Sequence, residues 1–316
     1  MMASPATPID LLMIVENARR LRPNTKRGYA NAVRQWLDFA GSAPRGWTGA
    51  KAQAFYDKLV VDGMAPQTAN TLLDGLAYAF KRAAALHQIP NVVDAVERYR
   101  VERTSPRRAL TATKARGLLA ACGGPDLRSR RDLALVVLGL YTGMRRMSLV
   151  SVDVDRVADH GAFVMIPVLL KGGAWYHVAM DARAWALTAD YRAQLARVRG
   201  PGGPLFTGLS RPQPTMDDPI GAPKVQSRLT EDGVFRALGA RAAAAHVADF
   251  SPHILRHTFV TWCRSQDVPD VLVAAVTGHK ERADFPTIST YTDRLALAAD
   301  AARRCHDAVT AVLTTP

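Results

Sequence analysis

Four short stretches of this 316-residue chain hold side chains suited to phosphate binding, proton transfer or nucleophilic attack: "TGMRR" (142–146), "LLKGGAW" (169–175), "PHILRHTF" (252–259) and "TGHK" (277–280). Tyr291, in "TISTYTDR", follows them. His253 and Arg256 are three residues apart, so they share one face of a helix that Pro252 helps to start. His257 lies four residues from His253 and invites a metal reading. The HExxH pattern, however, needs a glutamate as general base where this chain has Ile254, so metal-dependent hydrolysis is not expected. Arg145 and Arg256 sit amid apolar helical sequence, where an unpaired guanidinium is costly to bury. Either they form structural ion pairs, or their planar forks converge on one phosphate, whose oxygens match a bidentate donor. Tyr291 taken alone is explained equally well by half-buried packing at a helix start.

Lys and Arg total 41 against 28 Asp and Glu, a formal net charge of +13 with a sequence pI of about 10.1. Such an excess attracts polyanions, of which nucleic acid is the commonest in a cell; a basic protein with no nucleic-acid role is the alternative. The hydrophobic content of 48% indicates a globular chain. No apolar run of about 18 residues appears, and "MMASPATPID" lacks a basic-then-apolar leader pattern, so a cytoplasmic protein with no membrane segment is expected. Cys122, Cys263 and Cys305 fit neither a zinc pattern nor a disulfide framework, and are expected to be reduced and structural.

The elements that must position these residues fall into two halves. Residues 1–103 read as a small all-helical unit of four or five helices. "PNTKRGYANAVRQWLDFA" has Asn24 or Thr25 as its expected N-cap and Tyr29, Val33, Trp36, Leu37 and Ala40 on one face. "APQTANTLLDGLAYAFKRAAALH" starts near Pro66 and carries Leu72, Leu76, Ala79 and Phe80 as its apolar stripe. A cationic linker, 104–109, contains Arg107 and Arg108 and suits either a phosphate-backbone crossing or a solvated loop. In 110–316, "RRDLALVVLGLYTGMRRMSLV" predicts a buried helix stopped at Gly143 with a second helix at once. "AFVMIPVLLKGGAWYHVAM" predicts a hairpin turning at Gly172-Gly173, both of which accept positive φ. Residues 201–228 read as loop, and helices resume to the C-terminus. The first 103 residues hold 14 basic against 9 acidic side chains, +5 of the total, so both halves can grip one polyanion as a clamp.

"TGMRRMSL", "KGG" in a hairpin, "HILRHTF", "GH" and then a tyrosine, in that order along a basic chain, resemble the tyrosine recombinase (phage integrase) family. The resemblance covers nearly the whole chain, and its motifs are specific as an ordered set rather than singly. It implies a mainly α fold with a small β-sheet: an all-helical core-binding domain at 1–103 and a mixed α+β catalytic domain at 110–316, closing on DNA as a two-domain clamp. Arg145 and Arg256 then fall on the two active-site arginines, Lys171 on the hairpin lysine, His253 and His279 on the two histidines, and Tyr291 on the nucleophile. The chemistry is coherent on its own terms. A phenol titrates near pH 10 and attacks a phosphodiester only if its proton is removed and the charge on phosphorus is stabilised. Arg145, Arg256 and His279 donate to the non-bridging oxygens, Lys171 protonates the departing 5′ oxygen, and His253 assists proton movement or braces the phosphate.

Two features depart from the family pattern. Ser148 stands where an acidic residue is usual, with Asp153 or Asp155 as candidate substitutes. The stretch from His279 to Tyr291 is a few residues longer than usual, and delivery of the tyrosine within one subunit is favoured. The expected function is site-specific DNA recombination through a 3′-phosphotyrosyl link, in integration, excision or resolution. The alternatives are a DNA-binding protein whose catalysis has decayed and a type IB topoisomerase-like enzyme. The expected partner is double-stranded DNA with short inverted core sites, bound by a homotetramer on two sites; no arm-binding segment is evident before the helical half. Lys26, Arg27, Gln67 and Thr68, near helix starts, are candidates for groove contact, solvated helix ends being the alternative. The amphipathic segment 295–313, with Leu295, Ala299, Ala302, Val309 and Val312, is expected to dock on a neighbouring subunit.

Overall fold

A computed structural model of the chain describes residues 10–87, 90–101, 109–170, 173–210, 225–278 and 294–315. The chain divides into two compact units, Met1–Thr104 and Ser105–Pro316. The fold is mainly helical with small sheets, as expected. Among the described residues no helix is long and apolar enough to cross a membrane.

The first unit holds α1 (Leu11–Glu16), α2 (Pro23–Ala40), α3 (Gly49–Val61) and α4 (Pro66–His87). Asn24 and Thr25 do not cap α2. The helix starts at Pro23, whose ring presets the helical φ and which has no N–H to satisfy, and Arg22 holds the N-cap without a side-chain bond. Trp36 is fully buried, with Phe55 and Phe80 set edge-on to its ring at 5.6 and 5.8 Å. Edge-to-face packing of this kind stabilises beyond the area it buries. Leu72, Leu76, Ala79 and Phe80 of α4 all face this core.

The second unit opens with α5 (Ala112–Ala121) and α6 (Leu127–Thr142). From Ala134 to Thr142 every residue of α6 is buried. Its charged start tolerates burial because Asp132 accepts hydrogen bonds from Arg131 Nη2 at 2.7 Å and Arg241 Nε at 2.8 Å. The helix stops at Gly143, and α7 (Arg146–Val150) follows. β1 (Ala158–Asp159), β2 (Phe163–Leu169) and β3 (Trp175–Asp181) make an antiparallel sheet in that order, with Phe163 opposite Asp181 and Leu169 opposite Trp175. The turn between β2 and β3 is closed by Gly173 N–H to Leu170 C=O and Leu170 N–H to Ala174 C=O, both 2.9 Å, with Gly173 at φ +80°.

α8 (Ala182–Ala186) and α9 (Ala189–Arg199) follow. The region expected as loop at 201–228 instead holds β4 (Thr207–Leu209), paired antiparallel with β5 (Val225–Arg228). The short run Leu205, Phe206 and Leu209 is buried, and this local apolar burial outweighs the surrounding Pro and Gly. α10 (Glu231–Ala244), α11 (His253–Ser265), α12 (Asp270–Thr277) and α13 (Arg294–Thr314) complete the unit. Cys122, Cys263 and Cys305 are buried and unbridged.

The expected docking of 295–313 on a neighbouring subunit is not what the structure shows. α13 packs on its own unit, burying Ala298, Ala301, Ala302, Cys305, Ala308 and Val309, with helical spacing along one face. Leu295, counted in the expected stripe, is 49% exposed. Polar ties reinforce the seat: Arg116 Nη1 donates to the Leu313 and Thr315 carbonyls at 3.1 and 2.6 Å, and Arg183 pairs with Asp307 at 2.9 Å. His306 is buried against Tyr141, ring centroids 5.2 Å apart, near Asp181, Arg183 and Asp307.

Burial holds the His306 imidazole below its usual value, overcoming the opposing pull of Asp181 and Asp307. The unfolded chain binds this proton near pH 6.5 while the folded chain resists it. His306 therefore destabilises the fold as pH drops below that value. His306→Gln is expected to lose on the order of 2 °C less than the parent in melting temperature between pH 7.5 and 5.5. Parallel pH profiles for the two proteins would assign the sensitivity elsewhere.

Candidate active site

Arg256 lies one turn into α11 and is only 3% exposed. Among the described residues no carboxylate pairs with it, which speaks against the structural ion pair there. Its Nη1 donates to the carbonyl of Gly143 at 2.7 Å and to that of Thr277 at 3.0 Å. These carbonyls stand at the C-terminal ends of α6 and α12, each terminated by a left-handed glycine, Gly143 at φ +60° and Gly278 at φ +61°. Helix C-termini carry partial negative charge and unsatisfied carbonyls, so one guanidinium closes two helix ends. Gly143 is obligatory in this arrangement. A Cβ there would lie 2.7 Å from Phe259 Cδ1 and 3.1 Å from Thr277 Cγ2, on a backbone that already disfavours side chains.

The other terminal nitrogen, Nη2, is buried with no hydrogen-bond partner among the described residues. Burial, and then the neighbouring charge of Arg145, pull the Arg256 pKa down to about 9, which leaves it charged at neutral pH. Arg145 occupies the N-cap of α7 in extended backbone, two residues beyond Gly143, and is partly exposed. No hydrogen bond or ion pair engages its side chain among the described residues. Two like charges are thus held close together, one of them with an unused buried donor. A dianionic or monoanionic oxygen cluster would relieve both the repulsion and the unsatisfied N–H.

His253 begins α11, exposed, with its ring edge-on to His257 at 4.8 Å. Arg145, His253 and Arg256 are the predicted catalytic residues that the structure describes; Lys171, His279 and Tyr291, and the linker arginines Arg107 and Arg108, lie outside the described residues. Ser148 is buried in α7 and its hydroxyl donates to Leu169 C=O at 3.0 Å. Neither proposed acidic substitute is available to replace a carboxylate at that place. Asp153 pairs with Arg228 at 2.5 Å, and Asp155 accepts from Gly203 N–H at 2.6 Å.

Of the candidates for groove contact, Gln67 and Thr68 are exposed in the first turn of α4. Lys26 is half-buried with Nζ on the Glu16 carbonyl at 2.7 Å, and the exposed Arg27 donates to Asn24 Oδ1 at 2.5 Å. Sequence reasoning missed the carbonyl seat of Arg256 and the contact of Ser151, whose Oγ accepts a hydrogen bond from Leu169 N–H at 2.8 Å. Gly143 and Gly278, each closing an apolar helix, were the available signal for the first.

The fold agrees with comparison to known proteins. The sequence model described as "Phage integrase family" matches residues 108–296, more than half of the chain, and the chain belongs to that family. It is 26% identical over 294 residues to tyrosine recombinase XerC of Methylobacterium sp. (strain 4-46), covering 89% of this chain and 86% of that one. Its fold is similar to that of a lambda integrase (75–356) dimer bound to a COC′ core site, with TM-score 0.62, 16% identity, and 88% and 98% of the two chains covered. It is likewise similar to XerH site-specific recombinase bound to difH substrate, with TM-score 0.61, 14% identity, and 94% and 80% covered.

Proposed function

We infer that this chain is a tyrosine-type site-specific DNA recombinase and that Tyr291 is its nucleophile. The observation that carries the reading is the pair Arg145 and Arg256, two adjacent guanidiniums with no carboxylate partner among the described residues, one presenting a buried Nη2 unused among them. Family membership and the XerC relative support the same reaction class. The Tyr291 phenolic oxygen attacks phosphorus, forming a 3′-phosphotyrosyl bond, and the bond from phosphorus to the 5′ oxygen breaks. Arg145, Arg256 and His279 stabilise the charge on the non-bridging oxygens; one preorganised donor of this kind is worth about 3–4 kcal/mol. Lys171 supplies the proton that the 5′ oxygen takes up, and His253 assists at the phenol or braces the phosphate. The covalent link conserves the phosphodiester energy, so a second 5′ hydroxyl can reverse the attack with the partner strand.

In this reading residues 1–103 form the core-binding domain, 104–109 a linker that crosses the backbone at Arg107 and Arg108, and 110–316 the catalytic domain, closing as a clamp. Lys26, Arg27, Gln67 and Thr68 contact the DNA. Four copies assemble on two duplexes with short inverted core sites, in the cytoplasm, and the reaction needs no cofactor. A lambda integrase tetramer bound to a Holliday junction, a lambda integrase dimer bound to a COC′ core site and XerH bound to difH substrate, all similar in fold, support this assembly.

The test uses 5′-labelled strands of a nicked suicide substrate from the gene's own genomic neighbourhood. A protein joined to a DNA 3′ end, mapped by mass spectrometry to the peptide containing Tyr291, is the expected result. Tight, specific binding with no covalent product would instead leave a DNA-binding protein. Plasmid relaxation without any recombination site would support the topoisomerase-like alternative.

A further inference from the structure

Leu169, the last residue of β2, is held at both its N–H and its C=O by α7 and the helix's C-cap residue, Ser151. Leu169 N–H donates to Ser151 Oγ at 2.8 Å, and Leu169 C=O accepts from Ser148 Oγ at 3.0 Å. Ser151 Oγ in turn donates to Ser148 C=O at 2.8 Å, so both hydroxyls are engaged in one chain of hydrogen bonds. The ladder explains why these groups need partners. Leu170 bonds across to Ala174, and antiparallel pairs alternate, so Leu169 turns its N–H and C=O away from β3. On that side β1 has already ended, pairing only with Val164 and Met165. α7 therefore takes the place of a third strand at this one residue. The same helix begins directly after Arg145, and Leu169 lies two residues before Lys171 in sequence.

We propose that Ser148 and Ser151 are positioning residues that tie the end of β2, two residues before Lys171 in sequence, to the helix that starts at Arg145. The proposal rests on the function given above, in which Lys171 protonates the 5′ oxygen. It also gives Ser148 a role of its own. A carboxylate at this position has no proton to donate to Leu169 C=O and would place two acceptors against each other in a buried site. Ser148 is thus a working donor and not the remnant of a lost acid, so restoring an acidic residue weakens the enzyme.

The experiment measures single-turnover cleavage by the full chain on two suicide substrates, one with the ordinary 5′ oxygen at the scissile phosphate and one with a bridging 5′ sulfur. A thiol titrates near 8.5, so sulfur leaves without a proton and its departure does not depend on the donor. Ser148→Ala and Ser151→Ala are expected to slow the oxygen substrate about 10–100-fold and the sulfur substrate less than about 3-fold. Ser148→Thr, which keeps the hydroxyl, recovers most of the rate, and Ser148→Asp is as slow as Ser148→Ala or slower. The ratio of the two rates is independent of the fraction of enzyme folded, so a partly unstable variant still gives an answer. Equal slowing on both substrates reduces the serines to structural supports and overturns the proposal, as does Ser148→Asp cutting faster than the parent. If the parent itself forms no adduct with either substrate, the recombinase reading fails first and this proposal with it.

Discussion

Replacing Arg256 with lysine is expected to slow covalent adduct formation roughly 10²–10³-fold while shifting stability by no more than about 1 kcal/mol. The two consequences separate because the two ends of the guanidinium have different jobs. Nη1 satisfies the carbonyls of Gly143 and Thr277, a task an ammonium with three donors can take over. Nη2, buried and without a partner among the described residues, faces no such structural demand, and a lysine engaged by two carbonyls has lost the planar fork that matches a phosphate. Arg256→Met should lose both roles. The hydrogen bonds to both carbonyls are lost, at about 1–3 kcal/mol each, partly offset by removal of a desolvated charge beside Arg145. A net destabilisation of about 2–3 kcal/mol is expected, against near-parental melting for Arg256→Lys. Adduct assays and thermal melts on both variants decide the matter. A lysine variant with parental rate would show that Nη2 does not serve the scissile phosphate.

The largest structural effect is expected at Gly143. Gly143→Ala places a Cβ on a backbone at φ +60°, costing roughly 1–2 kcal/mol, and drives it against Phe259 and Thr277 in a filled core, costing about 1–3 kcal/mol more. At about 2–4 °C per kcal/mol, the melting temperature should drop by at least roughly 5 °C. Adduct formation should fall even at temperatures where the variant is folded, since the carbonyl that seats Arg256 belongs to the displaced residue. Gly173→Ala is the internal reference. Its φ is +80°, but a Cβ there meets nothing within 4 Å, so only the conformational cost of about 1 kcal/mol applies. Equal losses for the two alanine variants would show that packing around Gly143 contributes nothing.

Much of the arrangement was legible in residue pattern. The apolar run ending in "YTG" marked both the burial of α6 and its stop at Gly143, and the Gly-Gly pair marked the hairpin between β2 and β3. The stripe of Leu72, Leu76, Ala79 and Phe80 identified the buried face of α4 without error. The failures have physical causes too. Asn24 and Thr25 are good caps in isolation, but Pro23 starts the helix earlier at no loss of a hydrogen bond. The strands at 207–209 and 225–228 are too short for periodicity to register, and pairing between residues far apart in sequence is what forms them. In the expected stripe of α13, Ala302 and Val309 are buried while Leu295 is exposed, and the covering partner was not foreseen, because amphipathicity states that a face needs covering and not what covers it.

By itself, the sequence determined the helical periodicities, the glycine stops, the net charge of +13 and the ordered set of arginines, histidines and tyrosine that identifies the family. These are local or compositional properties, carried by side-chain types at fixed spacings. Only the tertiary structure decided that Arg256 is seated on the ends of two helices, 113 residues away at Gly143 and 21 residues away at Thr277, with one nitrogen left over beside Arg145. It also decided that Ser148 and Ser151 grip the end of β2. In both cases the partners are backbone carbonyls and amides, which every residue possesses, so no side-chain pattern announces them and only the packing of the elements selects which are used.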